Sequence, residues 1–148
     1  MKAKLSPLQL RDFSVFETKF DAIIPDEHLD IDLNTLPVHI DFDILQPEDK
    51  EDYSRLLNIE VKINAAKKHP GYSIYLRAGA IFDIINHNKL DDKTIKNLLG
   101  ISALSISISQ ARGYLQNITS YGFCRSYLLP PIDINDLFEK KIKAEQKQ

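Results

Sequence analysis

Four histidines, His28, His39, His69 and His87, and one cysteine, Cys124, are the side chains best suited to metal binding or nucleophilic catalysis. No two of the histidines have the spacing that gathers ligands on one helix face or one hairpin, so ordinary surface histidines and no metal are expected. His87 and Cys124 are a base and a thiol of the right types for nucleophilic attack. Nothing in their sequence context brings them together, and a lone cysteine after a helix is more often a small buried residue. The five glycines form neither GxGxxG nor GxxxxGK[ST], and no GxSxG occurs. The loops that cradle phosphate and the turn that carries a catalytic serine are therefore missing. No catalytic residue and no cofactor are expected.

What the sequence offers instead is apolar surface. Tyr114 and Tyr121 lie two helical turns apart and are followed closely by Phe123, Tyr127 and Leu128. An aromatic stripe of this kind is usually core. The stripe through Leu104, Ile108, Ala111, Leu115 and Ile118 already suffices to cover a sheet, which leaves the tyrosines displaced to its side. A partner subunit or an apolar groove would use them, since tyrosine has an apolar body and a polar tip. Tyr114, Leu115, Ile118, Tyr121, Phe123, Tyr127 and Leu128 are the candidate groove residues.

A second candidate surface is electrostatic. Residues 1–60 carry 6 Lys+Arg against 14 Asp+Glu, and residues 61–148 carry 13 against 7, so halves of −8 and +6 compose the net −2. Asp41, Asp43 and Glu60 stand at polar positions of two alternating strands and could present a negative face to a basic partner. The same charges also suit a merely solvated sheet face. Nothing resembles the concentrated basic stripe of a nucleic-acid binder.

These residues must be positioned by a small set of elements. In residues 10–24, Phe13 and Val15 alternate on one phase and Phe16 and Phe20 on the other, which predicts a strand that changes face near Val15 and Phe16 through a bulge. Residues 24–37, bounded by Pro25 and Pro37, read as a long acidic loop. Val38, Ile40, Phe42 and Ile44 then alternate cleanly, as do Leu57, Ile59, Val61 and Ile63 after the acidic turn QPEDKED, and Tyr72 to Ile84 after AAKKHPG. Short connections favour an antiparallel meander. Asp91 caps a short helix with Leu90 stapled onto Ile95, and Gly100 is expected to end it. The serine-rich stretch that follows is ambiguous, but its four-turn apolar stripe outlasts its six-residue alternation. It predicts a long helix closed by Gly122 in the left-handed conformation, its first turns weakened by Ser105, Ser107 and Ser109. An extended segment with Pro130 and Pro131 leads to a short helix from about Asp133, with residues 139–148 frayed.

The predicted class is α+β: a four-stranded antiparallel sheet, a short helix, a long helix packed on the sheet and a short C-terminal helix. At 148 residues, 43% hydrophobic and 27% charged, the chain fits one domain over 1–148. An N-terminus without an apolar leader and a single cysteine predict a reducing, cytoplasmic setting, and no run is long enough to cross a bilayer.

Several local matches give a resemblance. GAIFDI at Gly79–Ile84, Leu99-Gly100, Ala111-Arg112, Gly122 and LPPIDINDLF at 129–138 follow without a gap from Gly79 to Phe138. With the element order, they make the chain similar to the SecB export-chaperone family. FETKFDAI and the rest of the first half match by pattern only. Leu104 and Ser109 stand where the family commonly has prolines, and the chain ends in KKIKAEQKQ where members serving the translocation motor carry an acidic tail. The resemblance implies a bacterial, cytoplasmic holdase, a tetramer built as a dimer of dimers. It implies that unfolded or pre-export polypeptides bind in apolar grooves without ATP, and that SecA or an antitoxin is a further partner. A chaperone dedicated to one client such as an antitoxin, a hot-dog-like thioesterase and a purely structural oligomer are the alternatives. A hot-dog would place its long helix early among the strands, and residues 102–121 contain no carboxylate to serve as a base.

Overall fold

The computed structural model of the chain describes residues 1–27, 30–49 and 52–146. His28, the middle of the acidic turn at Lys50 and Glu51, and the last two positions lie outside the described residues. The alternating runs form strands β1 (Leu8–Ile23), β2 (Val38–Leu45), β3 (Arg55–Ile63) and β4 (Gly71–Ile84) in one antiparallel sheet. Directly opposed residues share a face. The register Leu57↔Ala80, Ile59↔Ala78, Val61↔Leu76 and Ile63↔Ile74 therefore puts both apolar sets on one side, where all are buried. Each such aliphatic side chain contributes about 1.5–3 kcal/mol when fully removed from water.

The sheet order is β1-β4-β3-β2, which corrects the simple meander. The meander holds for β2 to β4, but β1 crosses to the far edge. Length matching accounts for this: the 16 residues of β1 find a partner of 14 in β4, whereas β2 and β3, with 8 and 9, match each other. The 24–37 link is long enough to span the sheet, and Leu33 and Leu36 anchor it in the core.

The predicted face change in β1 is a bulge, with register slipping between Val15 and Glu17 and again between Leu10 and Asp12. The two slips keep Leu10, Phe13, Val15 and Phe20 opposite the buried face of β4. Phe16 is left on the opposite side, its ring over Gly79, where a Cβ would come within 2.7 Å of it.

The helices depart from expectation at both glycines. Asp91 caps α1 (Asp92–Asn97) through the Thr94 N–H at 2.6 Å, as predicted. Gly100 does not end it. The chain continues through a π-helical segment, Leu98–Ala103, directly into α2 (Leu104–Ile118). Gly100 instead opens a notch for an aromatic ring, since a Cβ there would lie 2.5 Å from Phe138. Gly122 is likewise not a left-handed terminator. The α2 helix stops at Ile118, with the Thr119 hydroxyl donating to the Leu115 carbonyl and accepting the Tyr127 N–H, both at 2.7 Å. Gly122 makes room for the Tyr72 hydroxyl.

Leu104, Ile108, Ala111 and Leu115 form the buried stripe of α2. Ser107 is buried with them and donates back to the Ala103 carbonyl at 2.8 Å, which satisfies a hydroxyl that would otherwise compete for the backbone. The tail is not frayed through 139–145, because α3 runs Ile134–Glu145. Pairs four residues apart, Lys140–Asp136 at 2.6 Å and Lys143–Glu139 at 3.6 Å, support it.

Candidate functional site

The residues after α2 divide sharply by exposure. Tyr121 is 98% exposed, Leu128 54% and Phe123 41%. Phe123 stands edge-on to the Tyr72 ring at 5.7 Å, and Tyr72 meets Phe20 at 5.2 Å, so three aromatics run from β1 through β4 to the post-helix segment. The Tyr72 hydroxyl donates to the Arg125 carbonyl at 2.9 Å. Burial first, and its neighbour Cys124 second, push this phenol up to about 12. A cleft of about 580 Å³ opens beside Phe123, walled by Ile24, Pro25 and Ile31 on its apolar side and by Asp26, Glu27, Asp30 and Arg125 on its charged side.

Leu115 and Tyr127, expected in the groove, are core residues instead. Leu115 lies on the stripe that α2 turns to the sheet, and Tyr127 is drawn inward by its N–H bond to Thr119. Burial pushes the Tyr127 phenol up to about 12, and its hydroxyl has no hydrogen-bond partner. Tyr114 is partly buried, its hydroxyl 2.8 Å from that of Thr18 on β1, and Ile118 packs partly buried against the core. The groove candidates thus reduce to Tyr121, Phe123 and Leu128 at the surface, with Tyr114 and Ile118 behind them.

Asp41 on β2 and Glu60 on β3 are register partners, and Asp43 is two residues on, so the acidic trio does assemble. Sequence reasoning missed its counter-ion. Lys141 of α3 places its ammonium 2.9 Å from Asp41 and 2.8 Å from Asp43. Burial opposes ionisation of Asp41, but Lys141 and the Phe42 N–H more than offset it, and its carboxyl lies below the ordinary range. Glu60 is lowered by hydrogen bonds from Lys62 and from the Tyr75 hydroxyl.

His87 and Cys124 are far apart. His87 follows the end of β4 and stacks on Tyr53, whereas Cys124 neighbours Tyr72 at its start. A strand rising about 3.3 Å per residue separates those ends by roughly 40 Å. Among the described residues, no three His, Cys, Asp or Glu side chains cluster as a metal site.

A further groove was not anticipated. It lies between α1, the π segment and α3, encloses about 650 Å³, and is lined by Ile44, Leu99, Gly100, Phe138 and Ile142 with Lys93 and Lys96 at its rim. The spacing of Phe138 and Ile142, four residues apart, was the available signal.

A scan against protein-family models gives no match, and a search of curated proteins gives none either. Among solved structures, the Mycobacterium tuberculosis Rv1957 SecB-like chaperone, in complex with a ChAD peptide from the Rv1956 HigA1 antitoxin, superposes with a TM-score of 0.58. Identity is 14%, over 85% of this chain and 90% of that one. The fold is SecB-like. A Streptococcus agalactiae protein of unknown function aligns at a TM-score of 0.42 and 9% identity, over 84% of this chain and 97% of its own. The long helix follows all four strands in chain order, and the segment after it carries the exposed Tyr121, Phe123 and Leu128 before α3 begins. No helix among the described residues is long and apolar enough to cross a membrane.

Proposed function

We propose that the chain is an ATP-independent holdase that binds unfolded or pre-export polypeptide segments in apolar surface grooves, with no catalytic step. The observation that carries this reading is the run of exposed Tyr121, Phe123 and Leu128 after the long helix, with Phe123 lining a concave cleft, on a SecB-like fold. Large apolar side chains left uncovered next to a concavity suit a binding face. Affinity would come from many apolar contacts plus main-chain hydrogen bonds to an extended client, with little sequence preference. Strands β1 and β2 end the sheet with unpaired edges, which soluble proteins normally pair or cover. That supports assembly, and the reading includes a dimer of dimers of one-domain protomers acting in the cytoplasm.

A dedicated version has its own support, since the Rv1957 structure holds a peptide from an antitoxin. Docking of SecA on the acidic trio would require Lys141 to leave Asp41 and Asp43. The deciding experiment has two parts. The purified chain is added without ATP to a chemically denatured test protein, and polypeptides bound to it in its native cells are identified by mass spectrometry. Suppressed aggregation with many unrelated precursors supports the general role, and one dominant small protein supports the dedicated one. Failure to slow aggregation at several-fold molar excess refutes both.

A further inference from the structure

The groove between α1, the π segment and α3 has an apolar floor and a basic rim. Its floor is fixed in place. Phe138 sits in the Gly100 notch and stacks on Phe42 at 6.4 Å, and Lys141 ties α3 to β2. Ile142 is the one large apolar residue in the run EKKIKAE, and it stays 38% exposed along the groove wall. A volume of about 650 Å³ falls inside the roughly 300–1,000 Å³ range of ligand-holding pockets.

The rim lysines are set apart from most of the other basic side chains. Arg11, Lys62, Lys67, Lys140, Lys141 and Lys143 all sit on carboxylates. Among the described residues, Lys93 and Lys96 have no ion pair, and Asp92 is the one carboxylate lining the groove with them. Two ammonium groups one turn apart, beside an apolar floor, favour a ligand that offers apolar bulk and negative charge together.

We propose that this groove takes an extended polypeptide segment in which a leucine, isoleucine or phenylalanine is flanked by aspartate or glutamate. The inference rests on the chaperone reading and adds a charge selectivity to it. The apolar side chain supplies affinity from the floor, and the lysines discriminate by sign. Exposed charge pairs are individually weak, so acidic flanks should be preferred by about five- to tenfold at low salt, and by less as salt screens the rim.

The test uses the full chain and two fluorescein-labelled peptides with the same Leu-Leu-Phe centre, one flanked by glutamates and one by lysines, in fluorescence polarisation. The expected result is tighter binding of the glutamate peptide, a preference that shrinks at about 0.3 M salt. Lys93→Glu with Lys96→Glu should invert the preference, and Ile142→Asp should weaken both peptides. These three positions lie on the surface, and circular dichroism is recorded for each variant to check that it folds; Lys93→Met with Lys96→Met, which should abolish the preference without adding charge, guards against a misfolded double glutamate. Equal binding of the two peptides, or a preference unmoved by the charge reversal, overturns the inference and leaves the chaperone reading intact. Loss of all peptide binding together with failure to suppress aggregation overturns the chaperone reading itself. Persistent aggregation suppression with neither peptide bound overturns the inference alone, as does self-association that Ile142→Asp abolishes, which would identify the occupant as a second copy.

Discussion

Replacing Tyr121 and Phe123 by serine separates a binding face from a packed one. Tyr121 is 98% exposed and contributes almost no burial to the fold. Phe123 is 41% exposed and touches the Tyr72 ring edge-on, so it retains somewhat more than half of its burial. Scaling the roughly 1.5–3 kcal/mol of a fully buried large apolar side chain gives a loss of about 1–2 kcal/mol for the pair. In a chain of this size that lowers Tm by about 2–8 °C. At a client surface each aromatic contact should be worth about 1–2 kcal/mol, so affinity for an unfolded segment should fall roughly 30- to 700-fold if the two effects add. Thermal unfolding is measured alongside aggregation suppression of a denatured test protein. A stable variant with undiminished suppression refutes the assignment of this surface, and a collapse in Tm well beyond 8 °C refutes the claim that these residues lie outside the core.

Lys141→Ala should free α3 from β2, raising its amide exchange several-fold with little change in the sheet. The pH dependence follows from Asp41. A carboxyl held below its unfolded value, about 3.9, contributes stability that is complete above that pH and is lost as pH falls through the lower folded value. The α3 amides should thus loosen first in acid, below about pH 4, and Lys141→Ala should remove that step in an NMR titration. Gly100→Ala forces Phe138 out of its notch, and overpacking of this kind should cost about 1–3 kcal/mol in denaturant unfolding. Tyr127→Phe deletes a buried hydroxyl that has no partner, so it should leave stability unchanged or raise it by up to about 1 kcal/mol, read as a Tm shift. Sedimentation at micromolar concentration should show an assembly larger than one chain; a monomer alone would refute the proposed oligomer.

The sheet was legible because it is covered by helices on one face. Burial on one side imposes a period of two, and Val38–Leu45, Arg55–Ile63 and Gly71–Ile84 each display it. Even the bulge at Phe16 announced itself as a slip in phase. What stayed hidden depended on partners distant in sequence. A glycine that ends a helix and a glycine that admits a ring read alike locally, and the rings at Gly100 and Gly122 come from Phe138 and Tyr72. Lys141 and Asp41 are 100 positions apart, so a segment that looked like a polar tail is a helix held to a strand. In the candidate site, Tyr121 and Tyr127 carry the same side chain. Their opposite fates, open and buried, follow from a segment with no regular period, in which one N–H bond to Thr119 decides which ring turns inward.

The π segment between α1 and α2 also acts on angle. A π turn holds about one residue more than an α turn, which rotates everything before it by roughly 100° relative to everything after. On an uninterrupted α-helix, Ile95 and Leu104, nine residues apart, would point in nearly opposite directions; with the wider turn between them, both pack against the same core. Leu98–Ala103 therefore works as a phase shifter, and the groove floor at Leu99 and Gly100 owes its orientation to one surplus residue. Deleting a single position there would restore the ordinary pitch, swing α1 around its own axis and carry Lys93 and Lys96 away from Ile142 while leaving every groove side chain in the sequence.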